Sequence, residues 1–304
     1  MEKRTLYHEG TFKKGNLHTH STRSDGINTP EEIAAHYRKK GYDFLAITDH
    51  WVYGTHENLN RQDFLVFPGT ELDIELPGRK DHHLVGFGLP ESNRIPDGYT
   101  FEEERKGNTL CTAERIIEYF GQRGNVTIYG HPYWSKVDST DIKYLQGMIG
   151  MEIYNHGAEI EGNNGNSETY FDHFLFVRNR IFCFATDDAH DLGENSLGGF
   201  IMVKTKDFSH KGILQALTDG SFYASNGPLI HDFYVEDKTA KIVCDPCQDI
   251  YFQTPHRVSH LFSEEQKHTY GEFALNGDEE YVRVTVKNSR GQKAWTQPIW
   301  LWLF

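Results

Sequence analysis

The sequence predicts an α/β protein whose functional site lies at one end of a barrel-like sheet, followed by a smaller β-rich segment. Three observations predict this class. Short apolar runs alternate with segments of helical periodicity, which is typical of α/β architectures. Most of the apolar runs end in a histidine or an acid, and the pattern changes to short alternating strands after about residue 228. Polar residues at the ends of strands are typical of a barrel with its site at the C-terminal face.

Six apolar runs are the candidate strands of this barrel. They are short, continuous and rich in Val, Ile and Phe, as expected for strands that are buried on both faces of a parallel sheet. Five of them lead directly into Asp49-His50, Glu71, His131, Glu152 and the run from Asp187 to His190. The sixth run, HLVGFGL, differs because His82 and His83 stand at its start.

Four segments between the runs have the spacing of amphipathic helices. In TPEEIAAHYRKKG, Thr29 is placed to cap the helix, Pro30 occupies its first position and Glu32 completes a capping box. Gly41 is the expected end of that helix. The other three segments have apolar residues at intervals of three and four, and read TAERIIEYFGQRG, SETYFDHFLFVRNR and HKGILQALTDG.

The C-terminal segment has a different pattern. In YVRVTVK, Val282, Val284 and Val286 alternate with polar residues, and the segment NSRG that follows is typical of a turn. Two other short runs, DFYVED and AKIVCD, are similarly strand-like. We therefore predict two domains: a barrel over residues 1–228, and a small antiparallel β-rich domain over residues 229–304.

The charge and hydropathy of the chain exclude some classes of function. Lys and Arg number 31 against 44 Asp and Glu, which gives a formal net charge of −13. Because binding to phosphate backbones requires a local cationic field, no groove for nucleic acid is expected. The first residues lack the apolar core of a signal peptide, and the late run PIWLWLF is too short to span a bilayer. We expect a soluble, cytoplasmic protein without a membrane partner.

The histidines suggest a metal site. The chain has 17 of them, and His18 and His20 form an H-x-H pair. On an extended strand end, side chains two residues apart point to the same side, so both imidazoles can bind one ion. Asp188 and His190 have the same spacing. Imidazole and carboxylate ligands together suit zinc, iron or manganese, and the absence of nearby cysteine makes a structural zinc site a poor interpretation.

Seven short motifs resemble those of the polymerase and histidinol phosphatase (PHP) superfamily of metal-dependent phosphoesterases. They occur in the order found in that family and cover roughly residues 14–228. The motifs are HTHSTRSDG (18–26), ITDH (47–50), GTEL (69–72), HHLVGFG (82–88), GHPYW (130–134), EIYN (152–155) and DDAH (187–190). The resemblance implies a distorted (β/α)7 barrel, similar to a TIM barrel, with two or three divalent metal ions at its C-terminal face.

The resemblance also implies a set of metal ligands. The first ion would be bound by His18, His20, Glu71 and Asp188. Glu71 would bridge to a second ion, which His83 and His131 would also bind. A third ion, where present, would be bound by Asp25, His50 and His190.

Some of these assignments have a competitor next to them in the sequence. We choose His83 over His82 because the family's histidine directly precedes the apolar run, and Asp188 over Asp187 because of the D-x-H spacing. The best-known trinuclear phosphatases of the family carry a histidine where this chain has Asp25. Whether the third position binds an ion is therefore left open.

The implied ligand set favours an anionic substrate. Three carboxylates and six neutral imidazoles carry a charge of about −3, so three divalent ions would leave about +3 and two would leave about +1. Metal pairs activate water and stabilise the oxygens of an in-line transition state, so the expected nucleophile is a hydroxide bridging two ions.

Some residues of these motifs are also assigned roles in catalysis, in substrate binding or in orienting a ligand. Asp25, His50 and His190 form the predicted catalytic group, since either histidine could protonate the leaving group if the third ion is absent. Arg23 and Asn155 are candidates for substrate binding, although a solvated arginine and a loop-capping asparagine are the alternatives. Asp49 is expected to orient a ligand histidine.

The most favoured function is hydrolysis of a small phosphorylated metabolite or nucleotide. The segments GSFYASNGPLI (220–230) and YVRVTVKNSRGQKAWTQPIWL (281–301) resemble the ending of a branch related to carbaryl hydrolase. That resemblance admits hydrolysis of a carbamate, ester or amide on the same metal centre. A non-catalytic metal-binding module is the third alternative. The sequence does not predict the physiological substrate, the metal or the oligomeric state.

Overall fold

The computed structural model describes residues 3–78, 80–90, 94–264 and 267–301, in which strands and helices alternate over the first two thirds of the chain. The strands are β1 (Thr11–Asn16), β2 (Phe44–Ala46), β3 (Leu65–Phe67), β4 (Gly69–Leu76), β5 (Lys80–Gly88), β6 (Asn125–Tyr129), β7 (Gly150–Asn155), β8 (Phe182–Thr186), β9 (Phe200–Thr205), β10 (Phe222–Ser225), β11 (Ile230–Glu236), β12 (Thr239–Cys247), β13 (Asp249–Gln253), β14 (Val258–Phe262), β15 (His268–Ala274), β16 (Tyr281–Lys287), β17 (Lys293–Thr296) and β18 (Ile299–Trp300). The helices are α1 (Pro30–Lys39), α2 (Glu102–Lys106), α3 (Ala113–Gln122), α4 (Ser139–Ile142), α5 (His156–Gly162), α6 (Glu168–Phe176) and α7 (His210–Asp219), with a short 3₁₀ helix at Glu57–Leu59.

The strands form three sheets of a mixed α/β protein. The first sheet has the order β14-β13-β16-β17-β10-β9-β1-β2-β3, and β18 pairs with β16. The second has the order β4-β5-β6-β7-β8 and the third β11-β12-β15. Parallel pairing occurs between β1, β2 and β3 and between β6, β7 and β8, whereas β5 pairs antiparallel with both β4 and β6. The α/β class is thus confirmed, while the closed barrel stays a prediction.

Two isolated bridges connect the first sheet with the second. Thr19, just after β1, pairs in parallel with Ala189, just after β8. His50, after β2, pairs in parallel with Glu71 on β4. Both bridges lie among the predicted ligands, so the two sheets meet at the candidate site.

The predicted helices are present, and local signals in the sequence explain their ends. The Thr29 side chain accepts from the Glu32 N–H and the Glu32 carboxylate accepts from the Thr29 N–H, which forms the expected capping box of α1. Gly41 follows α1 with a φ of 79°, a left-handed conformation that glycine adopts without steric cost. None of the helices in the described parts of the chain is long and apolar enough to cross a membrane.

Aromatic side chains fill the core next to the candidate site. Phe44, Phe67 and Phe87 are fully buried, and their rings contact one another edge to face at centroid distances of 6.0 and 6.4 Å. A Cβ atom at Gly15 would lie 2.1 Å from the Phe44 ring, so β1 and β2 can pair this closely only because residue 15 lacks a side chain. The strand that leads to the H-x-H motif is therefore fixed by close packing.

The C-terminal strands continue the first sheet. β17 pairs with β10 on one side and with β16 on the other, so hydrogen bonds cross the boundary that we predict between residues 228 and 229. Trp295 on β17 is fully buried and stacks on Tyr154 at a centroid distance of 6.0 Å. The division into a barrel domain and a C-terminal β-rich domain stays a prediction.

Candidate metal centre

Six strands place the predicted ligands, four through the residues that follow them and two through residues within them. The H-x-H pair follows β1, His50 follows β2, and His131 follows β6. Glu71 lies on β4, opposite the strand β5 that carries His83. The last two predicted ligands, Asp188 and His190, follow β8. Strand ends that are far apart in the sequence therefore converge, as the pattern of polar residues after apolar runs predicts.

The first predicted ligand set forms a cluster in which His18, His20 and Glu71 are buried and Asp188 is partly buried. The Nε2 atoms of the two histidines lie 3.2 Å apart. The Oε2 atom of Glu71 is 2.9 Å from His18 Nε2 and 3.1 Å from His20 Nε2. The Oδ1 atom of Asp188 is 3.2 and 2.9 Å from the same two nitrogens. Four potential ligand atoms thus surround one point.

These separations fit a metal ion. Zinc–nitrogen and zinc–oxygen distances of about 2.0–2.2 Å at tetrahedral angles place neighbouring ligand atoms about 3.3–3.6 Å apart. The observed values of 2.9–3.2 Å need only a small expansion to match. Within the described residues, Asp188 Oδ1 is buried and makes no hydrogen bond of acceptable direction, although two imidazole nitrogens lie next to it. A cation is the partner that this arrangement lacks.

A second pair of histidines uses the other oxygens of the same carboxylates. Glu71 Oε1 lies 2.8 Å from His83 Nδ1 and 3.4 Å from His131 Nε2. Asp188 Oδ2 lies 3.4 Å from the same nitrogen of His131. Glu71 therefore presents one oxygen to each of two neighbouring positions, which is the arrangement of a bridging carboxylate.

The third predicted set is more open. His190 Nε2 lies 3.3 Å from Asp25 Oδ2, and His50 Nε2 lies 3.9 Å from the same oxygen. The His20 ring stacks on the rings of both His50 and His190, at centroid distances of 4.5 and 4.3 Å, and those two rings are 6.3 Å from each other. His20 Nδ1 is 3.6 Å from Asp25 Oδ1, so His20 faces this position as well as the first. The Asp25 side chain is 54% exposed, so this position opens to solvent.

The charges of the centre are mutually stabilising. Burial lowers the pKa of His18, but Asp188, Glu71 and Glu152 more than offset this effect and raise the pKa well above its usual value. Burial would likewise raise the pKa of Glu71, yet His18 and its neighbouring histidines hold it well below the usual range. The His20 pKa is raised to about 10, despite burial, by the adjacent carboxylates of Asp188 and Glu71. A cation that binds here must displace protons from these imidazoles.

The neighbours that compete for two assignments lie outside the cluster. His82 is hydrogen bonded through Nδ1 to the Tyr129 hydroxyl at 2.6 Å. The Asp187 carboxylate accepts from the Tyr37 hydroxyl and from backbone N–H groups of residues 197–199. His83 and Asp188 are the members of each pair that reach the centre.

The two predicted substrate contacts have other partners in the structure. Arg23 forms an ion pair with Asp97 at 2.7 Å. Asn155 is fully buried and donates from Nδ2 to Glu152 at 2.8 Å and to Asp188 at 3.2 Å, while its Oδ1 caps α5. The contacts of Asn155 are those of a residue that supports a predicted ligand. For both Asn155 and Arg23, a role in binding substrate stays a prediction.

Asp49 does not orient a ligand histidine by a direct hydrogen bond among those seen here. Its carboxylate accepts from the Ser21 N–H and hydroxyl, both at 2.7 Å, and from the Ser24 hydroxyl at 2.8 Å. It therefore holds the loop between His20 and Asp25. The orienting role expected for Asp49 stays a prediction, and its observed contacts fix Ser21, the residue that follows His20.

Sequence reasoning missed one buried acid of the centre. Glu152 is fully buried, and its Oε1 lies 2.7 Å from His18 Nδ1. The signal for it was present, because Glu152 follows an apolar run in the same way as the predicted ligands do. A second acid, Asp73, lies 3.4 Å from His50 Nδ1 and accepts from the Trp51 indole N–H at 2.7 Å. Asp73 belongs to β4 and faces the site because it is two residues from Glu71.

Comparison with known proteins supports the resemblance seen in the motifs. No family model matches the chain. The chain is 38% identical over 87 residues to the DNA polymerase/3'-5' exonuclease PolX of Bacillus subtilis, a match that covers 23% of this chain and only 15% of that relative. The resemblance to the PHP superfamily is confirmed, whereas the carbaryl-hydrolase branch stays a prediction.

Two solved structures are also similar to the chain. One is a two-domain protein from Bacteroides vulgatus that contains a predicted PHP-like metal-dependent phosphoesterase, with 14% identity, a TM-score of 0.47 and 95% coverage of each chain. The other is an amidohydrolase from Chromobacterium violaceum with bound sulfate and no metal, with 17% identity and a TM-score of 0.42. That match covers 60% of this chain and 89% of the other.

Proposed function

We propose that this protein is a metal-dependent hydrolase that cleaves phosphate esters of small molecules. The observation that carries the proposal is the convergence of His18, His20, Glu71 and Asp188 on one point at separations that suit a divalent ion. Two carboxylates that each present their second oxygen toward His131 add a neighbouring position. The resemblance to the PHP superfamily supports the same chemistry.

The proposed cofactors are two or three divalent ions of zinc, manganese or iron. When bound, such ions would supply a Lewis acid and an activated water for attack on a phosphoryl or carbonyl centre. Imidazole and carboxylate donors suit all three metals, so the donor set by itself does not choose among them. Asp25, His50 and His190 would bind the third ion.

The protein's own side chains have separate tasks in this proposal. Glu71 and Asp188 hold the two inner positions at a fixed spacing, because each carboxylate faces both of them. His50 and His190 lie nearer to solvent, with side chains 25% and 32% exposed, so they can reach a leaving group. Where the third ion is absent, the Asp25 carboxylate, 3.3 Å from His190 Nε2, would favour the protonated form of that imidazole, which could then protonate the leaving group.

We further propose that seven strands close into the distorted barrel implied by the resemblance. Strand pairing gives β1-β2 and β4-β5-β6-β7-β8, and the bridges Thr19–Ala189 and His50–Glu71 would join the two sets into a ring. In a barrel of this kind the site lies at the C-terminal ends of the strands. A small-molecule substrate and a cytoplasmic location belong to the proposal as well, and both rest on the sequence.

The test is a substrate panel on metal-analysed protein. Purified protein should contain two to three divalent ions per chain. With added manganese or zinc it should hydrolyse p-nitrophenyl phosphate or its bis-ester faster than an aryl carbamate. A preference for the carbamate would favour the alternative reaction on the same centre. Protein that takes up no divalent metal, even after incubation with each ion, would refute the proposed function.

A further inference from the structure

Glu152 is a buried acid that lies next to the predicted ligands but is not assigned as one of them. It lies on β7, is fully buried, and makes four hydrogen bonds. Its Oε1 faces His18 Nδ1 at 2.7 Å and accepts from the Thr186 hydroxyl at 2.6 Å. Its Oε2 accepts from the His131 backbone N–H and from Asn155 Nδ2, both at 2.8 Å.

These contacts favour a supporting role over metal binding. Each carboxylate oxygen of Glu152 already has two hydrogen-bonding partners, which largely satisfies its lone pairs. His18 presents its other nitrogen, Nε2, to Glu71 and Asp188 in the ligand cluster. Glu152 therefore lies behind the His18 ring, on the side away from the point where the ligand atoms converge.

We infer that Glu152 is a positioning residue that orients His18 for metal binding and, through its hydrogen bonds, links the residues of the two inner metal positions. A carboxylate that accepts the Nδ1 proton of a histidine fixes the tautomer whose Nε2 is free to bind a metal. The same carboxylate holds the backbone of His131, a predicted ligand of the second position, and Asn155, which in turn contacts Asp188. The inference rests on the proposed metal centre but is independent of which ester the enzyme cleaves.

An amide at this position would disturb the histidine in a specific way. The Glu152→Gln side chain has the same shape but replaces one oxygen by an NH₂ group. All four partners of Glu152 can donate, so the new NH₂ group would face donors wherever it points. If it points to His18, Nδ1 must accept and the proton moves to Nε2, which removes the nitrogen that would bind the metal. If it points to His131, the backbone N–H of that ligand loses its acceptor.

The experiment measures metal affinity in the full-length protein. Zinc and manganese dissociation constants are determined by competition with a chromophoric chelator for the wild type and for Glu152→Gln. We expect the variant to bind the tightest ion about 10- to 100-fold more weakly, the range typical for loss of a partner that orients a metal-binding histidine. The absorption spectrum of the cobalt(II) form should change as well, because a reoriented His18 alters the coordination geometry.

A matched control separates this effect from the general cost of changing a buried acid. Asp249 on β13 is also a buried carboxylate bonded to a histidine, His260 Nε2 at 2.7 Å, but it lies in the C-terminal part of the first sheet. Asp249→Asn should leave metal affinity and the cobalt spectrum unchanged. Thr186→Val removes one hydrogen bond to Glu152 and keeps the acceptor of His18, so it should weaken binding less than Glu152→Gln does.

The outcomes distinguish the inference from the proposed function. A wild-type protein that binds no metal would refute the function. A folded Glu152→Gln variant with wild-type affinity and an unchanged cobalt spectrum would refute only the positioning role. If the variant does not fold, ¹⁵N NMR of histidine side chains in the zinc-loaded wild type decides, with the His18 signal assigned by its loss in His18→Asn. A proton on Nδ1 supports the inference and its absence overturns it.

Discussion

Asp25 is the most exposed of the nine predicted ligands. Its side chain is 54% exposed, whereas those of His50 and His190, the other members of the third position, are 25% and 32% exposed. The distances within this set, 3.3–3.9 Å, are longer than those within the first cluster. A carboxylate at such a solvent-facing position contributes to metal binding chiefly by its charge, because water can replace it as a ligand.

We predict that Asp25→Asn loses the most weakly bound ion and keeps the fold. Removing one negative charge from the third position lowers its affinity for a divalent ion, and the exposed side chain has little to do with stability. Metal analysis after dialysis should show about one ion fewer per chain than in the wild type, with an unchanged melting temperature. Asp63→Asn, at a surface aspartate paired with Arg38, is the control and should retain every ion. Equal metal content in all three proteins would contradict an ion bound by Asp25.

At the scale of residues, the sequence predicted which histidines and acids the structure brings together better than it predicted the residues that support them. The spacing within HTH and DAH defines which side chains point the same way, and the order of the motifs identifies the rest. Glu152 was not assigned, because its role depends on β7 lying behind the His18 ring. The serine contacts of Asp49 were not predicted for the same reason: a supporting residue is defined by a neighbour in space that sequence spacing does not specify.

A buried hydrogen bond connects helix α1 to the candidate metal centre. The Tyr37 hydroxyl donates to Asp187 Oδ2 at 2.6 Å, and both residues are fully buried. Asp187 precedes the predicted ligand Asp188 and also accepts from three backbone N–H groups of residues 197–199. The carboxylate thus joins α1, the end of β8 and the segment that leads into β9.

We predict that Tyr37→Phe destabilises the protein by about 1.5–3 kcal/mol, the range for a hydrogen bond to a charged group. Loss of the hydroxyl removes one of the four donors to this fully buried carboxylate. Urea unfolding measures the change. Tyr42→Phe is the matched control: Tyr42 is also buried, but its hydroxyl has no hydrogen-bond partner among the described residues. Equal stability of the two variants would mean that the bond to Asp187 contributes nothing.

At the scale of elements, local signals in the sequence predicted the helices. They did not predict which strands pair with one another. The capping box of α1 is complete within a few residues, so the sequence could identify it. The hairpin of β4 and β5 places Asp73 opposite His83, and this antiparallel pair interrupts the parallel order that apolar runs suggest. Which strands pair depends on contacts between distant segments, and a periodic pattern does not contain that information.

The first sheet extends through most of the molecule. It begins at β3 and β2, passes β1, and continues through β9 and β10 into β17, β16 and β13. Arg283 on β16 is buried and pairs with Asp172 of α6, which joins the C-terminal strands to the helical layer of the predicted barrel. Trp295 on β17 packs in the same core cluster as residues of β7 and β8. These contacts favour one cooperative unit over two domains that unfold independently.

We predict that Trp295→Ala destabilises the whole chain by about 3–5 kcal/mol, the usual cost of deleting a large buried aromatic side chain. The stacking on Tyr154 and the indole hydrogen bond to Glu168 are lost together with the buried volume. Phe262→Ala, at an aromatic residue of β14 that is 52% exposed, is the control and should change stability by less than about 0.5 kcal/mol.

The shape of the unfolding transition decides between the two views of the chain. In a single cooperative unit, far-UV circular dichroism and the release of bound metal report the same midpoint in the wild type, and Trp295→Ala lowers both midpoints together. In two independent domains, the substitution would lower the midpoint of the C-terminal strands and leave metal release where it was. Trp295 contacts Tyr154, which lies on β7 between Glu152 and Asn155. We therefore expect the midpoints from circular dichroism and from metal release to coincide. Metal binding at the centre would then stabilise the C-terminal strands, although none of the predicted ligands lies in them.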